Sequence, residues 1–269
     1  MLTLYPLGRS LILSFFATEY GFDGATFVGT SNYEELASDR FFLRATTNTI
    51  SFTIMATVSE VSLGLAMALL VHNHPYGRPL IIPLLTAPFV LSTMVVTSIW
   101  SAWFHYDFGF LNNLLRLMGL DGQPWLFDPD IALTSLVLVD LWQTAPLAFL
   151  LILAGLQSID DEIYEAARMD GAGTYFVFLT ITLPLLAPHL LLAALIRSID
   201  SFKIFDKVFA LTGGGPGHAT ETLSVFLYRQ GFQFFEVGMA SATAMIMVAI
   251  AGALAAIYAA RLLARDRDA

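Results

Sequence analysis

Two apolar stretches of the chain carry polar side chains that could do chemistry: Asp140, Trp142, Gln143 and Thr144 in one, Arg197 and Ser201 in the other. Asp200 and Lys203 lie just beyond Ser201, and Glu60 stands in the middle of a third apolar run. Ionisable groups are expensive in hydrocarbon, so those found there face a partner or a cavity. Three chemistries fit. Glu60 or Asp140 could form a helix-to-helix ion pair with Arg197, and for Glu60 that is the expectation. Arg197 and Ser201, one helical turn apart on one face, could instead join Asp140 and Thr144 in lining a polar path. Glu60, Asp140 and Asp200 could also relay protons, as in a stand-alone secondary transporter.

Other reactive constellations are thin. The stretch LTGGGPGH, containing Gly213, Gly214, Gly215 and Pro216, invites comparison with a phosphate-binding loop. That loop needs a lysine and a hydroxyl residue after its last glycine, and here His218 and Ala219 follow Gly217. Without that pair the stretch reads as a flexible turn. Of the five histidines, only His72 and His74 have ligand-like spacing, in a short loop without nearby carboxylates, so no metal site is expected. His189 with Asp140 is the one pairing an intramembrane enzyme could use. There is no cysteine, hence no thiolate ligand or nucleophile. The net charge of −9 argues against a nucleic-acid surface.

The elements that must position these groups follow from composition. Hydrophobic residues make up 57% of the chain and charged residues only 13%, about half the usual share. A bilayer core takes about 20 apolar residues of helix. Ala45–Val71, Pro79–Phe104, Ile131–Leu156 and Gly238–Leu263 supply that, and Leu183–Phe205 is a fifth run that takes in Arg197, Asp200 and Lys203. The N-terminal MLTLYPLGRSLILSFF reads as part of a further span whose beginning is missing or very short. The expected fold is an all-α integral membrane protein of about six spans in one domain, residues 1–269. Basic residues do not orient it. Arg78, Arg168, Arg261, Arg265 and Arg267 fall on one side, and Arg40, Arg116, Lys207 and Arg229 on the other, with Arg44 at a boundary. The C-terminal ARLLARDRDA cluster leans toward a cytoplasmic end.

Among the loops, HNHPYGRP is short enough to make a tight helical hairpin, and residues 105–130 read as a segment along the membrane surface. The loop of residues 157–183 is distinctive. Ser158 can cap a helix whose first turn holds Asp160, Asp161 and Glu162, matching the helix dipole. Ile159, Ile163, Ala166, Ala167 and Asp170 fall at helical spacing, and Glu165 and Arg168 are i,i+3 neighbours that can pair. Gly171 suits the position after a helix end, where φ is positive. Thr174 can then restart a helix toward Pro184. The small alanine surface allows another backbone to approach closely.

The same stretch, EAARMDGAGTYFVFLTITLP, resembles the EAA motif of ABC importer permeases: Glu165, Ala166, Ala167, Asp170, Gly171, Ala172, Ile181, Leu183 and Pro184 occupy its positions. LTGGGPGHATETL, FVGTSNYEEL and LAGLQSI are similar to segments of the sugar-type, or maltose-type, branch. The likeness runs over nearly the whole chain. It implies a bacterial inner-membrane, multi-pass permease subunit with both termini cytoplasmic, and an extracytoplasmic loop at about residues 206–237. Glu165, Ala166, Ala167, Arg168, Asp170 and Gly171 would form a cytoplasmic coupling helix seated on a partner ATPase.

The resemblance further implies a second permease subunit, two ATPase subunits that bind ATP and Mg²⁺, and an extracytoplasmic solute-binding protein that could contact Gly213–Pro216. The chain itself would need no cofactor and perform no catalysis. Spans before and after the coupling loop would form the substrate path, placing Asp140, Trp142, Gln143, Thr144, Arg197 and Ser201 at matching depth. Hydroxyl-binding groups beside an indole suit a sugar or polyol. Arg197 would also suit an anionic sugar or glycerol phosphoester.

Overall fold

The computed structural model describes residues 4–18, 24–74 and 77–265, with side chains as far as Arg261. Helix α1 (Leu4–Leu13) leads into a two-residue hairpin, β1 (Phe16–Ala17) paired antiparallel with β2 (Thr26–Phe27), and then α2 (Ser31–Ser38). Next come α3 (Arg40–Asn73), α4 (Arg78–Val90), α5 (Thr93–Trp103), α6 (Phe110–Leu117) and α7 (Ala132–Gln157). After α7 stand α8 (Asp161–Met169) and α9 (Thr174–Val177), a π-helical turn at Phe178–Thr182, and α10 (Leu183–Phe202). The chain finishes with α11 (Asp206–Leu211), α12 (Leu223–Tyr228), a second π turn at Arg229–Gln233, and α13 (Val237–Arg265). The tip of the expected hairpin, Pro75 and Tyr76, lies outside the described residues, as do Arg267 and the side chain of Arg265.

Four continuous helical stretches are long and apolar enough to cross a bilayer: α3, α7, α9 through α10, and α13. The packing ranks them. Buried residues make up 61% of the apolar window of α7 and at most 33% in the other three, so α7 is the helix the others surround. Helix α3 begins at Asp39, whose carboxylate accepts from Phe41 N at 2.7 Å, a standard N-cap. Its 34 residues reach about 51 Å, well beyond a 30 Å hydrocarbon core. Ala45, Thr49, Phe52, Ala56, Glu60, Gly64, Ala68 and Val71 recur every three or four residues and form its buried face. At Gly64 the two helices nearly touch: a Cβ there would stand 2.8 Å from Phe149 N and 2.9 Å from Ala148 Cβ. Small residues permit such close approach where lipid gives helices no hydrophobic drive to associate. Ala68 and Val71 of α3, Phe149, Ile152 and Leu156 of α7, and Leu186 and Ala193 of α10 make one core.

The run Pro79–Phe104, expected as one straight span, is broken. Helices α4 and α5 meet at 92°, with Leu91 and Ser92 extended at ψ 141 and 139. Pro83 and Pro88 weaken the helix approaching the break, because neither donates a backbone hydrogen bond. Freed backbone groups must find partners away from water. Leu91 O accepts from Gln143 Nε2 on α7 at 3.0 Å.

Helix α1 is ten residues long, about 15 Å, and packs on α13. The hairpin behind it is tied to α13 as well, through Gly238 N donating to Thr18 Oγ1 at 3.0 Å. The segment of residues 105–130 is held by one buried side chain, Asn112. Its Nδ2 donates to Tyr106 O and Gln123 O, while its Oδ1 accepts from Gln123 N and Trp125 Nε1.

Candidate functional site

The charged residues of the spans converge. Arg197 on α10 donates from Nε to Glu60 Oε2 at 2.5 Å and from Nη2 to Glu60 Oε1 at 3.2 Å. Its Nη2 also reaches Asp140 Oδ2 at 3.4 Å and Thr144 Oγ1 at 3.1 Å. Thr144 donates to Glu60 Oε1 at 2.7 Å, and Ser201 Oγ accepts from Arg197 Nη2 at 3.5 Å. The ion pair expected of Glu60 is therefore present, and it joins α3, α7 and α10 at one point. Asp200 stands 3.6 Å from Arg197 Nη1 and 3.0 Å from Lys203 Nζ.

Lys207 completes the cluster. From sequence it falls in a loop between spans, but its side chain is buried and its ammonium is paired with Asp140 Oδ1. The reason is tertiary: α11 folds inward beside α5 and α7 instead of running along the surface. Beneath it lies a cavity of about 440 Å³ lined by Thr93, Asp140, Thr144, Arg197, Asp200, Lys203 and residues 204–207.

The other sequence candidates are not all at this cavity. Trp142 turns toward an aromatic cluster, 6.0 Å from the Trp100 ring and 6.2 Å from that of Trp103. Gln143 serves the break at Leu91, and its Oε1 has no hydrogen-bond partner among the described residues. The proposed neighbour of Asp140 in an enzyme, His189, packs against Gly155. Fifteen residues along α7 separate Gly155 from Asp140, about 22 Å, so that pair is not assembled.

The loop of residues 157–183 forms a helix, a bend and a second helix. Ser158 is not the cap: its hydroxyl turns back to Gly155 O at 2.8 Å. Helix α8 instead begins after Asp160, with Asp161 and Glu162 in its first turn. It closes as a Schellman motif, in which Gly171 N donates to Arg168 O and Ala172 N to Ala167 O, both at 3.0 Å. Gly171 has φ +76, a conformation other residues resist. Only Ala167 of α8 is buried, so Glu165, Ala166, Arg168 and Asp170 stay exposed. The expected Glu165–Arg168 ion pair is absent among the described residues, leaving both charges available. Tyr164 OH lies 3.3 Å from Thr182 Oγ1 in the π turn, tying α8 to the start of α10.

The glycine loop is more constrained than a flexible turn. Arg229 Nη2 donates to Gly213 O at 2.6 Å and its Nη1 to Glu221 Oε1 at 2.8 Å. Thr220 Oγ1 donates to Gly215 O at 2.6 Å, and Asn48 Nδ2 reaches His218 O and Glu221 O, each at 3.0 Å. Glu221 is buried and pairs with His218 as well. Nothing in the polar sequence around Glu221, His218 to Thr222, marks it as buried; its burial depends on Asn48 and Arg229 from distant positions.

Residues 60–268 match the family described as binding-protein-dependent transport system inner membrane component. A probable ABC transporter permease of Sinorhizobium fredii is 37% identical over 94% of this chain and 84% of its own length. A sulfoquinovosyl glycerol transport system permease of Agrobacterium fabrum is 35% identical over 96% of this chain and 84% of its own. A trehalose/maltose transport system permease of Thermococcus litoralis is 35% identical over 86% and 78%. Among solved structures, a bacterial ABC transporter that imports the acidic polysaccharide alginate superposes with a TM-score of 0.82. It covers 97% of this chain and 90% of its own at 21% identity, which establishes the shared fold.

Proposed function

The chain belongs to the binding-protein-dependent transport system inner membrane component family of ABC transporter permeases, and from that premise we propose that it forms half of the pathway by which a sugar crosses the membrane. A second permease subunit supplies the other half. A pair of ATPase subunits binds ATP and Mg²⁺ and drives the cycle, and an extracytoplasmic binding protein delivers the solute. Both termini and α8 face the cytoplasm, while residues 206–237 face outward.

One observation carries this reading. Helix α8 presents Glu165, Ala166 and Arg168 to solvent, yet both its ends are fixed to spans, by residues 158–160 to α7 and by the Gly171 bend and the π turn to α10. A short, exposed, charged helix held this firmly can receive a push and pass it into the bundle. The chain needs no nucleotide site or catalytic group of its own for that task.

A sugar, rather than an anion, is the cargo the cavity favours. Arg197, Lys203 and Lys207 are each paired with Glu60, Asp140 or Asp200, and Asp206 adds a further acid to the lining. No cation is left over to hold a phosphoester or uronate. The relative that handles trehalose/maltose takes an uncharged sugar of the kind such a cavity would accept.

The test is co-purification of the ATPase subunit with the permease pair from membranes. Glu165→Lys should lose the ATPase while retaining the second permease. Undiminished recovery of the ATPase with that variant would contradict the coupling role of α8.

A further inference from the structure

The cluster contains one bond unlike the rest. Asp140 divides its carboxylate, with Oδ2 toward Arg197 and Oδ1 toward Lys207. Arg197 is anchored independently by two bonds to Glu60. If Lys207 withdraws, Asp140 keeps a cation beside it. If Arg197 withdraws, Glu60 loses its cation. Stranding a buried charge is what makes breaking such pairs costly, so among the buried pairs the Lys207 contact is the one that can open with least penalty.

Its position gives that opening a use. Lys207 sits on α11, six residues that follow the end of α10 at Phe202 and precede the glycine loop. The near acid in sequence, Asp206, remains exposed, and Lys207 instead crosses to Asp140, 67 residues away. Residues 204–207 thereby form part of the wall of the 440 Å³ cavity. On the far side of α11, the loop is gripped by Arg229 at Gly213 and Glu221. A displacement of the loop would therefore pull on α11 and on its bond to Asp140, whose other oxygen faces Arg197 on α10, the span that α8 precedes across the Gly171 bend.

We propose that Lys207 is a positioning residue: its ammonium, seated on Asp140, latches α11 over the cavity and holds the complex at rest until the binding protein engages the 206–237 loop. The proposal rests on the function argued above. The latch transmits docking as a change of state, because release of Lys207 frees that part of the wall and lets α10 and α8 move together.

The assembled complex in lipid vesicles tests it, with ATP hydrolysis measured with and without loaded binding protein. Lys207→Met should raise hydrolysis without binding protein by roughly fivefold or more, the usual scale of coupling between sites, and shrink the stimulation that binding protein adds. Lys207→Arg should retain wild-type coupling.

Since the chain has no cysteine, Lys207→Cys in an otherwise cysteine-free complex offers a control within one folded sample. Aminoethylation with 2-aminoethyl methanethiosulfonate restores a side chain ending in ammonium and should restore the low resting rate. The sulfonatoethyl reagent should not. Resting rates unchanged in Lys207→Met, or equal responses to the two reagents, would overturn the latch. A wild-type complex that binding protein fails to stimulate would instead overturn the transport reading on which it stands.

Discussion

Arg197 Nε donates to Glu60 Oε2 at 2.5 Å, so two spans 137 residues apart in sequence meet through one buried ion pair. Both side chains are almost wholly buried, at 4% and 0% exposure. Removing one partner of such a pair costs about 3–5 kcal/mol, whereas replacing both by apolar groups is often neutral. Arg197→Met alone should lower the melting temperature of the purified complex markedly. Adding Glu60→Met should recover a large part of that loss. If the double variant is as unstable as the sum of the singles, the pair is not a stabilising unit.

Gly64 reports on the α3–α7 contact. A side chain there meets backbone at Phe149, which cannot rotate away. Overpacking costs about 1–3 kcal/mol, so Gly64→Val should reduce the amount of folded protein in membranes, and Gly64→Ala less severely. Equal accumulation of Gly64→Val and wild type would contradict the close approach.

At the break between α4 and α5, Gln143→Leu should leave Leu91 O unsatisfied. A carbonyl left unpaired away from water costs about 1–3 kcal/mol. The expected result is a lower melting temperature with Gln143→Leu and near-normal stability with Gln143→Asn only if the shorter amide still reaches. Wild-type stability in Gln143→Leu would show that the break is held by other means.

Gly171 separates strain from contact. Nothing lies within 4 Å of the position a Cβ would occupy, but φ is +76. Gly171→Ala should therefore cost only about 1–2 kcal/mol of local strain, whereas Gly171→Pro cannot adopt that angle at all. Transport should survive the first and fail in the second, with the membrane level of each unchanged by immunoblot. Equal transport by both variants would remove the bend from the mechanism.

These sites differ in how far the sequence exposed them. The Gly171 bend was readable because its causes are local: acids in a first turn, small residues, then glycine. Ser158 misled within the same segment, since its hydroxyl prefers the end of the preceding helix at Gly155. The ion pair of Glu60 could be expected because few partners exist in a bilayer. The break at Leu91 could not, because prolines also occur in unbroken spans, and its place depends on Gln143, 52 residues away. Lys207 was hidden for the same reason. Six residues with one lysine look like surface until α11 is folded against Asp140. Trp142 had the right neighbours in sequence but the opposite face of α7, where Trp100 and Trp103 receive it.

In the proposed function, an ATPase drives solute through this permease by way of α8. The most direct measurement is uptake of a labelled sugar by vesicles holding the complete complex, supplied with loaded binding protein and ATP, for wild type and Glu165→Lys side by side. Wild type should show ATP-dependent accumulation, and Glu165→Lys should lose it at equal protein in the membrane. Accumulation by Glu165→Lys at the wild-type rate would contradict this role of α8.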